Sequence, residues 1–328
     1  MAPNERLLVA LDEVLAGTKT AALGAAAERL SGVYRTNTVP ATPILATSID
    51  VCAYAAYRMP ATFAAVRSAL RQAQQALPGF TPATIVDLGA GTGAASWAVA
   101  EVYAPQSFIM LEQAVVAMAV GRDLAARSSC PTLQRADWRR WHATRCAPSI
   151  PAADLVVAAY VLAELAPAAQ NSLVDVAAAG GRAVLIVEPG TPTGHARVLV
   201  ARERLMAAGF SIAAPCPHEC ECPLLRRDGD WCHFAARITR SDRHRRLKDA
   251  YLNYEDEKFS FVMATRNDPI TPAARIIRRP LKRKGFVSLE LCVANGEARQ
   301  HTVTKRNTDL YRAARKAEWG DRWLLGAG

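Results

Sequence analysis

Residues 85–93 limit the possible folds of this chain more than any other stretch. They read Ile-Val-Asp-Leu-Gly-Ala-Gly-Thr-Gly and lead from an apolar strand directly into an alanine-rich helical segment. Glycines at 89, 91 and 93 remove Cβ atoms, so the turn can pass close under a ligand. The start of the following helix offers free backbone N–H groups. The segment therefore predicts a nucleotide-type site at the carboxyl end of a buried strand.

The stretch around this turn alternates short apolar strands with helices, which is typical of a parallel sheet. The predicted strands are residues 84–88, 107–111, 133–136, 155–160 and 183–188. The predicted helices are residues 94–102, 114–126, 168–178 and 195–208. The fold class is therefore α/β, with a doubly wound, Rossmann-like domain over residues 81–212. Residues 1–80 show apolar positions at helical spacing and predict an N-terminal helical region.

A glycine-rich turn alone fits either a dinucleotide or S-adenosylmethionine. The pattern Asp-x-Gly-x-Gly-x-Gly, with Asp87 inside the strand, resembles motif I of class I methyltransferases more than a dinucleotide loop. Two further acids lie where that resemblance requires them. Glu112 ends the second strand and could accept the ribose hydroxyls, and Asp137 follows the third and could accept from the adenine amino group. We therefore expect S-adenosylmethionine to be held by Asp87, Gly89, Gly91, Gly93, Glu112 and Asp137.

The catalytic position of such an enzyme is harder to find. The fourth strand lacks the Asn/Asp-Pro-Pro-Tyr/Phe motif that orients amino groups of bases in related enzymes, and no Pro-Cys dipeptide marks a nucleophile there. Tyr160 and Glu164 are the polar candidates at the end of this strand. Packing at the start of a helix explains both residues equally well.

Charge is distributed unevenly along the chain. The chain has 40 Lys/Arg and 30 Asp/Glu, of which residues 235–328 carry 21 and 11, leaving 19 of each in residues 1–234. The C-terminal region is therefore basic, and its interleaved tryptophans and tyrosines favour a nucleic-acid partner. No run of about 18 apolar residues indicates a membrane span. Strands are expected at 258–265 and 286–293, and a helix at 309–317. The RNA-binding candidates are Arg278, Arg279, Lys282, Arg283, Lys284, Arg312, Arg315 and Lys316.

Residues 213–234 form a cysteine-rich loop. Four of the eight cysteines stand there with the spacing Cys-x3-Cys-x-Cys-x9-Cys: Cys216, Cys220, Cys222 and Cys232. The start of the chain lacks a secretory signal, so we expect a cytoplasmic protein in which such crowding indicates a metal or a cluster. Zinc ribbons favour Cys-x2-Cys pairs, which are absent here, whereas proline after a ligand cysteine also occurs in iron–sulfur proteins. His218 and His233 leave zinc as an alternative.

An ordered set of motifs resembles the methyltransferase-like protein family of the mitochondrial small ribosomal subunit and its bacterial homologues. It consists of the glycine turn, Cys-Pro-His-x3-Cys-Pro, Trp-Cys-His-Phe, Tyr-Glu-Asp-Glu-Lys-Phe-Ser-Phe and Tyr-Arg-Ala-Ala-Arg-Lys-Ala-Glu-Trp-Gly-Asp. The similarity covers roughly residues 50–325. It implies a factor that binds small-subunit rRNA or the 30S particle. For this chain it implies a bacterial cytoplasmic location. The sequence does not define the oligomeric state, and we expect a monomer.

The same resemblance implies a [4Fe-4S] site whose ligands are Cys216, Cys222, Cys232 and the distant Cys292. Cys220 remains an alternative to Cys222, although the proline after Cys222 favours Cys222. Two other functions stay open at this point. One is an active rRNA methyltransferase, and the other is a zinc-stabilised RNA-binding protein whose nucleotide fold is vestigial.

Overall fold

The protein forms two β-sheets with helices packed around the larger one. A computed structural model describes residues 5–35, 45–143, 149–240 and 254–324. The larger sheet has the strand order β3-β2-β1-β4-β5-β8-β6, with β7 paired to β8. Its strands are β1 (Thr84–Leu88), β2 (Ser107–Glu112), β3 (Asp137–Arg140), β4 (Ala153–Ala159), β5 (Gly181–Pro189), β6 (Ser211–Ala214), β7 (Phe234–Thr239) and β8 (Tyr254–Thr265).

The first five strands of this sheet run parallel, and β8 runs antiparallel to β5, β6 and β7. The direction of strand succession reverses between β1 and β4. Ligands of doubly wound sheets bind at the carboxyl ends of the strands beside such a reversal. The glycine turn follows β1 and therefore lies at this point.

The helices before the sheet are α1 (Glu5–Val14), α2 (Thr20–Arg35), α3 (Ser48–Tyr57) and α4 (Met59–Gln74). The crossover helices are α5 (Ala94–Val102), α6 (Val115–Ala125), α7 (Pro131–Gln134), α8 (Pro167–Gly180) and α9 (Pro192–Ala207). Helix α4 is mostly buried and packs against α5, β7 and β8. Helices α1, α3 and α4 thus share one hydrophobic core with a face of the larger sheet, and α2 packs on α3 in a small cluster of its own. Helices α8 and α9 pack with strands of the larger sheet in a second hydrophobic core. No helix in the described ranges is long and apolar enough to cross a membrane.

The smaller sheet follows in the chain and contains β9 (Ala274–Ile276), β10 (Leu281–Arg283), β11 (Phe286–Val293), β12 (Ala298–Thr304) and β13 (Arg322–Trp323). Its order is β10-β11-β9-β13, and β12 also pairs with β11. Helix α10 (Thr308–Lys316) packs on β11 and β12. The sheet has a hydrophobic core of its own, formed by residues such as Ile276, Leu289 and Trp323.

The predicted α/β class with a doubly wound sheet is confirmed. The strand expected at residues 133–136 is wrong, since the short helix α7 occupies Pro131–Gln134 and the strand begins at Asp137. Pro131 suits the first turn of a helix, and β3 is an edge strand in which Trp138 is the one buried residue. The larger sheet also continues beyond residue 212, because β7 and β8 complete it.

Candidate functional site

The glycine turn lines a cavity of about 80 Å³ at the carboxyl ends of the parallel strands. Gly89 and Gly91 both have left-handed φ angles, of 67° and 55°, which side chains other than glycine rarely adopt. A Cβ on Gly89 would lie 2.5 Å from Cγ2 of Val161, so this position also lacks room for one. The turn therefore brings the backbone close to the cavity, as its sequence predicts.

Glu112 also lines this cavity, at the end of β2. Its side chain is buried and tied to the backbone: Oε2 accepts from the Gly91 N–H at 2.8 Å, and Oε1 accepts from the Ala114 N–H at 2.8 Å. Each carboxylate oxygen keeps a second acceptor position. The place of Glu112 suits a contact with ribose hydroxyls, and that role stays a prediction.

Asp87 lies below the turn, outside the residues that line the cavity. It is 1% exposed, and its Oδ2 accepts from the hydroxyl of Ser96 at 2.8 Å and from the Ser96 N–H at 3.2 Å. Burial raises the pKa of Asp87 to about 7, although the Ser96 hydrogen bonds oppose the rise. Asp87 therefore fixes the start of α5 under the turn rather than facing a ligand.

Gly93 and Asp137 are placed away from the cavity. Gly93 precedes α5 with φ 88° and packs near Met110 and Trp138. Asp137 is exposed at the amino end of β3, opposite Ile109, and forms an ion pair with Arg139 at 2.6 Å. The predicted contact of Asp137 with adenine is therefore not supported. Trp141, which follows β3, lines the cavity instead.

Tyr160 forms a network that the sequence did not indicate. It has a left-handed φ of 62°, and its hydroxyl donates to Oε1 of Glu257 at 2.9 Å. Arg58 donates to both oxygens of Glu257, at 2.9 and 3.2 Å, and its guanidinium lies over the Tyr160 ring at 5.5 Å from the centroid. Burial, together with the nearby Glu257, raises the pKa of Tyr160 well above its usual range. The predicted acceptor-site tyrosine is thus held by groups from the N-terminal helices and from β8, while Glu164 lines the cavity beside it.

A second, buried cavity of about 30 Å³ is lined by four cysteines. Cys216 follows β6, Cys222 precedes a short 3-10 turn at Pro223–Arg226, Cys232 precedes β7, and Cys292 lies in β11. Cys220 is exposed and does not line the cavity. The structure thus brings together the four cysteines that the family resemblance selected, across 76 residues of sequence, and leaves Cys220 outside.

The cysteine side chains do not form a metal site as they stand. Across the described ranges, no group of three or more His, Cys, Asp or Glu side chains could hold a metal ion. Burial raises the pKa of each of these thiols, and the neighbouring cysteines raise it further in Cys222, Cys232 and Cys292. The four side chains thus surround one cavity. His218 joins them, with Nε2 at 3.2 Å from Sγ of Cys292.

Two buried arginines complete the lining of this cysteine cavity. Arg202 in α9 donates through Nη2 to the backbone oxygens of His218 and Cys220 at 2.9 and 3.0 Å. Arg275 in β9 donates through Nε to the Pro215 oxygen at 3.0 Å and through Nη1 to the Gly320 oxygen at 2.9 Å. Burial lowers the pKa of Arg275 to about 10, which leaves it charged at neutral pH.

The basic residues of the C-terminal region separate into exposed and buried groups. Arg275 is buried, and Arg278 is paired with Asp230, so the basic run at residues 275–284, a pattern that is most often a solvated loop, is structured here. It contains β9 and β10 instead. Six of the candidate RNA-binding side chains are exposed and one, Lys282, is half-buried: the exposed ones are Arg279, Arg283, Lys284, Arg312, Arg315 and Lys316.

The comparison with protein families identifies the chain. Residues 48–324 match the family described as mitochondrial small ribosomal subunit Rsm22. The chain belongs to this family. The match spans both sheets and the cysteine-rich loop, and it confirms the resemblance found in the motifs.

Individual relatives have low sequence identity to the chain. The chain is 29% identical over 290 residues to the human protein "Ribosome assembly protein METTL17, mitochondrial", covering 82% of this chain and 61% of that protein. It is 24% identical over 183 residues to "Ribosome assembly protein RSM22, mitochondrial" of Saccharomyces cerevisiae, covering 36% of this chain and 29% of that protein. The chain thus spans less than two thirds of the length of either relative.

One solved structure with a similar fold is magnesium protoporphyrin IX methyltransferase from Synechocystis, with a TM-score of 0.40 and 14% identity over 72% of this chain and 92% of that chain. The relatives also correct one expectation. They are named as mitochondrial proteins, which contradicts the expected bacterial cytoplasmic location.

Proposed function

We propose that this chain is an assembly protein of the small ribosomal subunit that binds rRNA through its basic C-terminal region. The observation that carries the proposal is the family match over residues 48–324, since it includes the larger sheet, the cysteine-rich loop and the basic region together. Relatives named as ribosome assembly proteins support the same function. In this proposal the free protein is a monomer, and its partner is the small-subunit rRNA within an immature particle.

The proposed RNA surface centres on β10 and the groove beside it. This groove has a volume of about 680 Å³ and lies between β7 of the larger sheet and β10 of the smaller one. Lys282, Arg283 and Trp319 line it, together with Arg279, which is exposed and also contacts Asp256 at 3.4 Å. Cations beside an aromatic ring suit a phosphate backbone with an adjacent base. Arg278 is left out, because its guanidinium is already bound to Asp230 and to the Trp231 oxygen.

The second part of the proposal is a metal centre bound by Cys216, Cys222, Cys232 and Cys292. The donor set supports it, since four thiols line one buried cavity and their deprotonated forms are the usual ligands of iron–sulfur clusters and of zinc. A closer approach of the four sulfur atoms around the metal would complete the site. We propose a [4Fe-4S] cluster, which would fasten the smaller sheet to the larger one. Zinc is the alternative, and the contact between His218 and Cys292 favours it as the nearest nitrogen donor.

The third part is binding of S-adenosylmethionine at the glycine turn. Gly89, Gly91 and Glu112 line the same cavity, which supports the proposal. When bound there, this cofactor supplies an activated methyl group. An active rRNA methyltransferase is therefore the second candidate function, and Glu164 beside the cavity favours it. Tyr160 lines the cavity as well, and because its hydroxyl donates to Glu257, it could meet a base only as an acceptor.

The salt dependence of RNA binding tests the proposed surface. Replacing Lys282, Arg283 and Lys284 by Ala is expected to weaken binding to small-subunit rRNA and to reduce the slope of log affinity against log salt by about 1 for each lost phosphate contact. The control replaces Arg71, Arg127 and Arg135, three exposed arginines of the first half of the chain, by Ala. An unchanged slope in the first variant, or an equal loss in both, would remove β10 from the interface.

Methyl transfer is measured separately with labelled S-adenosylmethionine and immature small-subunit particles. Labelling by the wild type that is lost in Gly91→Arg would establish that the protein is a methyltransferase. Absence of labelling, together with normal ribosome assembly by Gly91→Arg in cells, would support the assembly role alone.

A further inference from the structure

The two arginines of the cysteine cavity have no carboxylate partner within the described parts of the chain. Arg202 is 4% exposed and Arg275 is 0% exposed. Both donate to backbone oxygens, and Arg202 also interacts with the Cys216 thiol. Nε of Arg202 and Nη2 of Arg275 are buried without a hydrogen-bond partner. A guanidinium is always protonated at neutral pH. The cavity thus holds two buried positive charges, and within the described ranges no carboxylate forms an ion pair with either, since Asp321 acts on Arg275 only from beyond ion-pair distance.

Other arginines with little exposed surface are paired differently. Each of three such side chains contacts a carboxylate: Arg58 with Glu257, Arg240 with Glu255, and Arg278 with Asp230. Burying an unpaired charge is costly, and proteins usually avoid it by pairing. The exception at the cysteine cavity therefore indicates that a negative group belongs there.

The lining of the cavity shows which group that is. No aspartate or glutamate is among the residues around it, and the acidic groups present are the thiols of the four cysteines. Four thiolates around a doubly positive core, whether a zinc ion or an oxidised cluster, leave a dianion. Two guanidinium groups neutralise a dianion. The number and sign of the buried charges thus agree with one metal–thiolate centre.

We propose that Arg202 and Arg275 are positioning residues that neutralise a dianionic metal–thiolate centre in the cysteine cavity. The inference rests on the proposed four-cysteine site. Arg202 reaches the cavity from α9 beside the larger sheet, and Arg275 reaches it from β9 of the smaller sheet, where it pairs with Cys292. Each arginine also holds the ligand loop, through the backbone oxygens of Pro215, His218 and Cys220. The two charges therefore hold the centre from both sheets.

The test measures metal release from the full-length protein. Wild type, Arg202→Met and Arg275→Met are loaded with iron and sulfide, or with zinc alone, and then exposed to a chelator. Loss of an outer-shell partner usually weakens metal binding roughly 10- to 100-fold, so each Met variant is expected to release metal faster by about that factor. Arg275→Lys keeps the positive charge and is expected to recover a large part of the retention.

The matched control is Arg197→Met, which removes a little-exposed arginine that pairs with Glu188 away from the cysteine cavity. It is expected to lower the unfolding temperature of the metal-free and metal-loaded forms alike and to leave the release rate unchanged. Unfolding of the metal-free forms is measured for every variant, so a general loss of stability is distinguished from weaker metal binding.

The outcomes distinguish the proposed role of the two arginines from the metal site on which that role rests. A wild-type protein that binds neither iron nor zinc overturns both the metal site and the role of the arginines. If wild type holds metal, and both Met variants release it at the wild-type rate, the inference alone is wrong. Release from Arg275→Lys as fast as from Arg275→Met would also contradict it, because the charge would then have no effect.

Discussion

The two cavities of this protein differ in how their polar groups are satisfied. At the glycine turn, both oxygens of Glu112 accept backbone N–H groups, and the Tyr160 hydroxyl donates to Glu257. In the cysteine cavity, by contrast, Arg202 and Arg275 each keep a buried nitrogen without a partner. Glu112 and Tyr160 in the first cavity thus have hydrogen-bond partners without a ligand, whereas the lining of the second includes no carboxylate.

This difference suggests that the structure around the two cavities depends on bound ligands to different degrees. A ligand at the glycine turn adds to contacts that already exist, so the turn is expected to keep its shape when no cofactor is bound. A metal centre in the cysteine cavity would supply a negative group beside two buried cations. We therefore expect the junction of the two sheets to depend on the metal, and the larger sheet not to depend on its cofactor.

The largest expected effect is loss of the metal centre. Cys216→Ser and Cys292→Ser should both abolish the visible absorbance and the bound metal, because each removes one of the four proposed ligands from a buried site. Cys220→Ser is the matched control, since Cys220 is exposed and outside the cavity. Absorbance spectra and metal analysis after anaerobic purification make the measurement. Full colour in Cys292→Ser would refute this ligand set.

The next effect concerns the glycine turn. Gly91→Arg should abolish S-adenosylmethionine binding in calorimetry, because the side chain would enter the cavity from a backbone with φ 55°. Its metal content should stay at the wild-type level. Gly79→Arg is the control, with a similar φ of 83°, open space around it and no contact with either cavity. If Gly91→Arg also lost its metal, the two cavities would not be independent.

A third test uses the buried acid beneath the turn. Asp87 ionises near pH 3.8 when unfolded and near pH 7 when folded, because burial disfavours its charged form. Between those values the folded state binds the extra proton, so the free energy of unfolding falls as pH rises, by about 4 kcal/mol in all. Asp87→Asn should remove this part of the pH dependence in denaturant titrations.

Glu188 provides the comparison for that test. It is 0% exposed, and burial raises its pKa to about 8. Glu188→Gln should therefore leave the Asp87 contribution unchanged and remove a separate loss that continues to about pH 8. Equal pH profiles for wild type and Asp87→Asn would contradict the buried, protonated state of Asp87.

The smallest expected effect is at Tyr160. Tyr160→Phe removes one hydrogen bond to Glu257 and leaves the Arg58 ion pair, so the free energy of unfolding should fall by about 1 kcal/mol. Tyr103→Phe is the matched control, because the buried Tyr103 hydroxyl has no hydrogen-bond partner and its loss should cost nothing. A loss of methyl transfer in Tyr160→Phe, with stability unchanged, would instead favour the enzyme.

The sequence predicted those features that depend on local pattern. The glycine turn, four of the five parallel strands and the helix after Asn307 follow from apolar periodicity and from residues with special backbone preferences. The third strand was misplaced because β3 is a short edge strand with one buried side chain and no apolar run. Because of that error, Asp137 was expected after the strand, although it begins the strand. Trp141, which follows β3 and lines the cavity, was not identified.

Long-range pairings could not be found in this way. Arg58 and Glu257 lie 199 residues apart, and their contact depends on how α4 packs against β8. Arg275 belongs to a run that reads as a solvated basic loop, yet strand pairing with β11 and β13 buries it completely. Cys292 was selected by the family resemblance, since an isolated cysteine in a strand gives no signal of its own.

The most direct test of the proposed centre is the iron, zinc and acid-labile sulfide content of the protein purified without oxygen. A [4Fe-4S] centre predicts about four irons and four sulfides for each chain. Stoichiometric zinc without sulfide would show that the centre is a zinc ion rather than a cluster. The four thiolates would still make that centre a dianion. A folded protein with neither metal would contradict the claim that the cysteine cavity holds the centre that joins the two sheets.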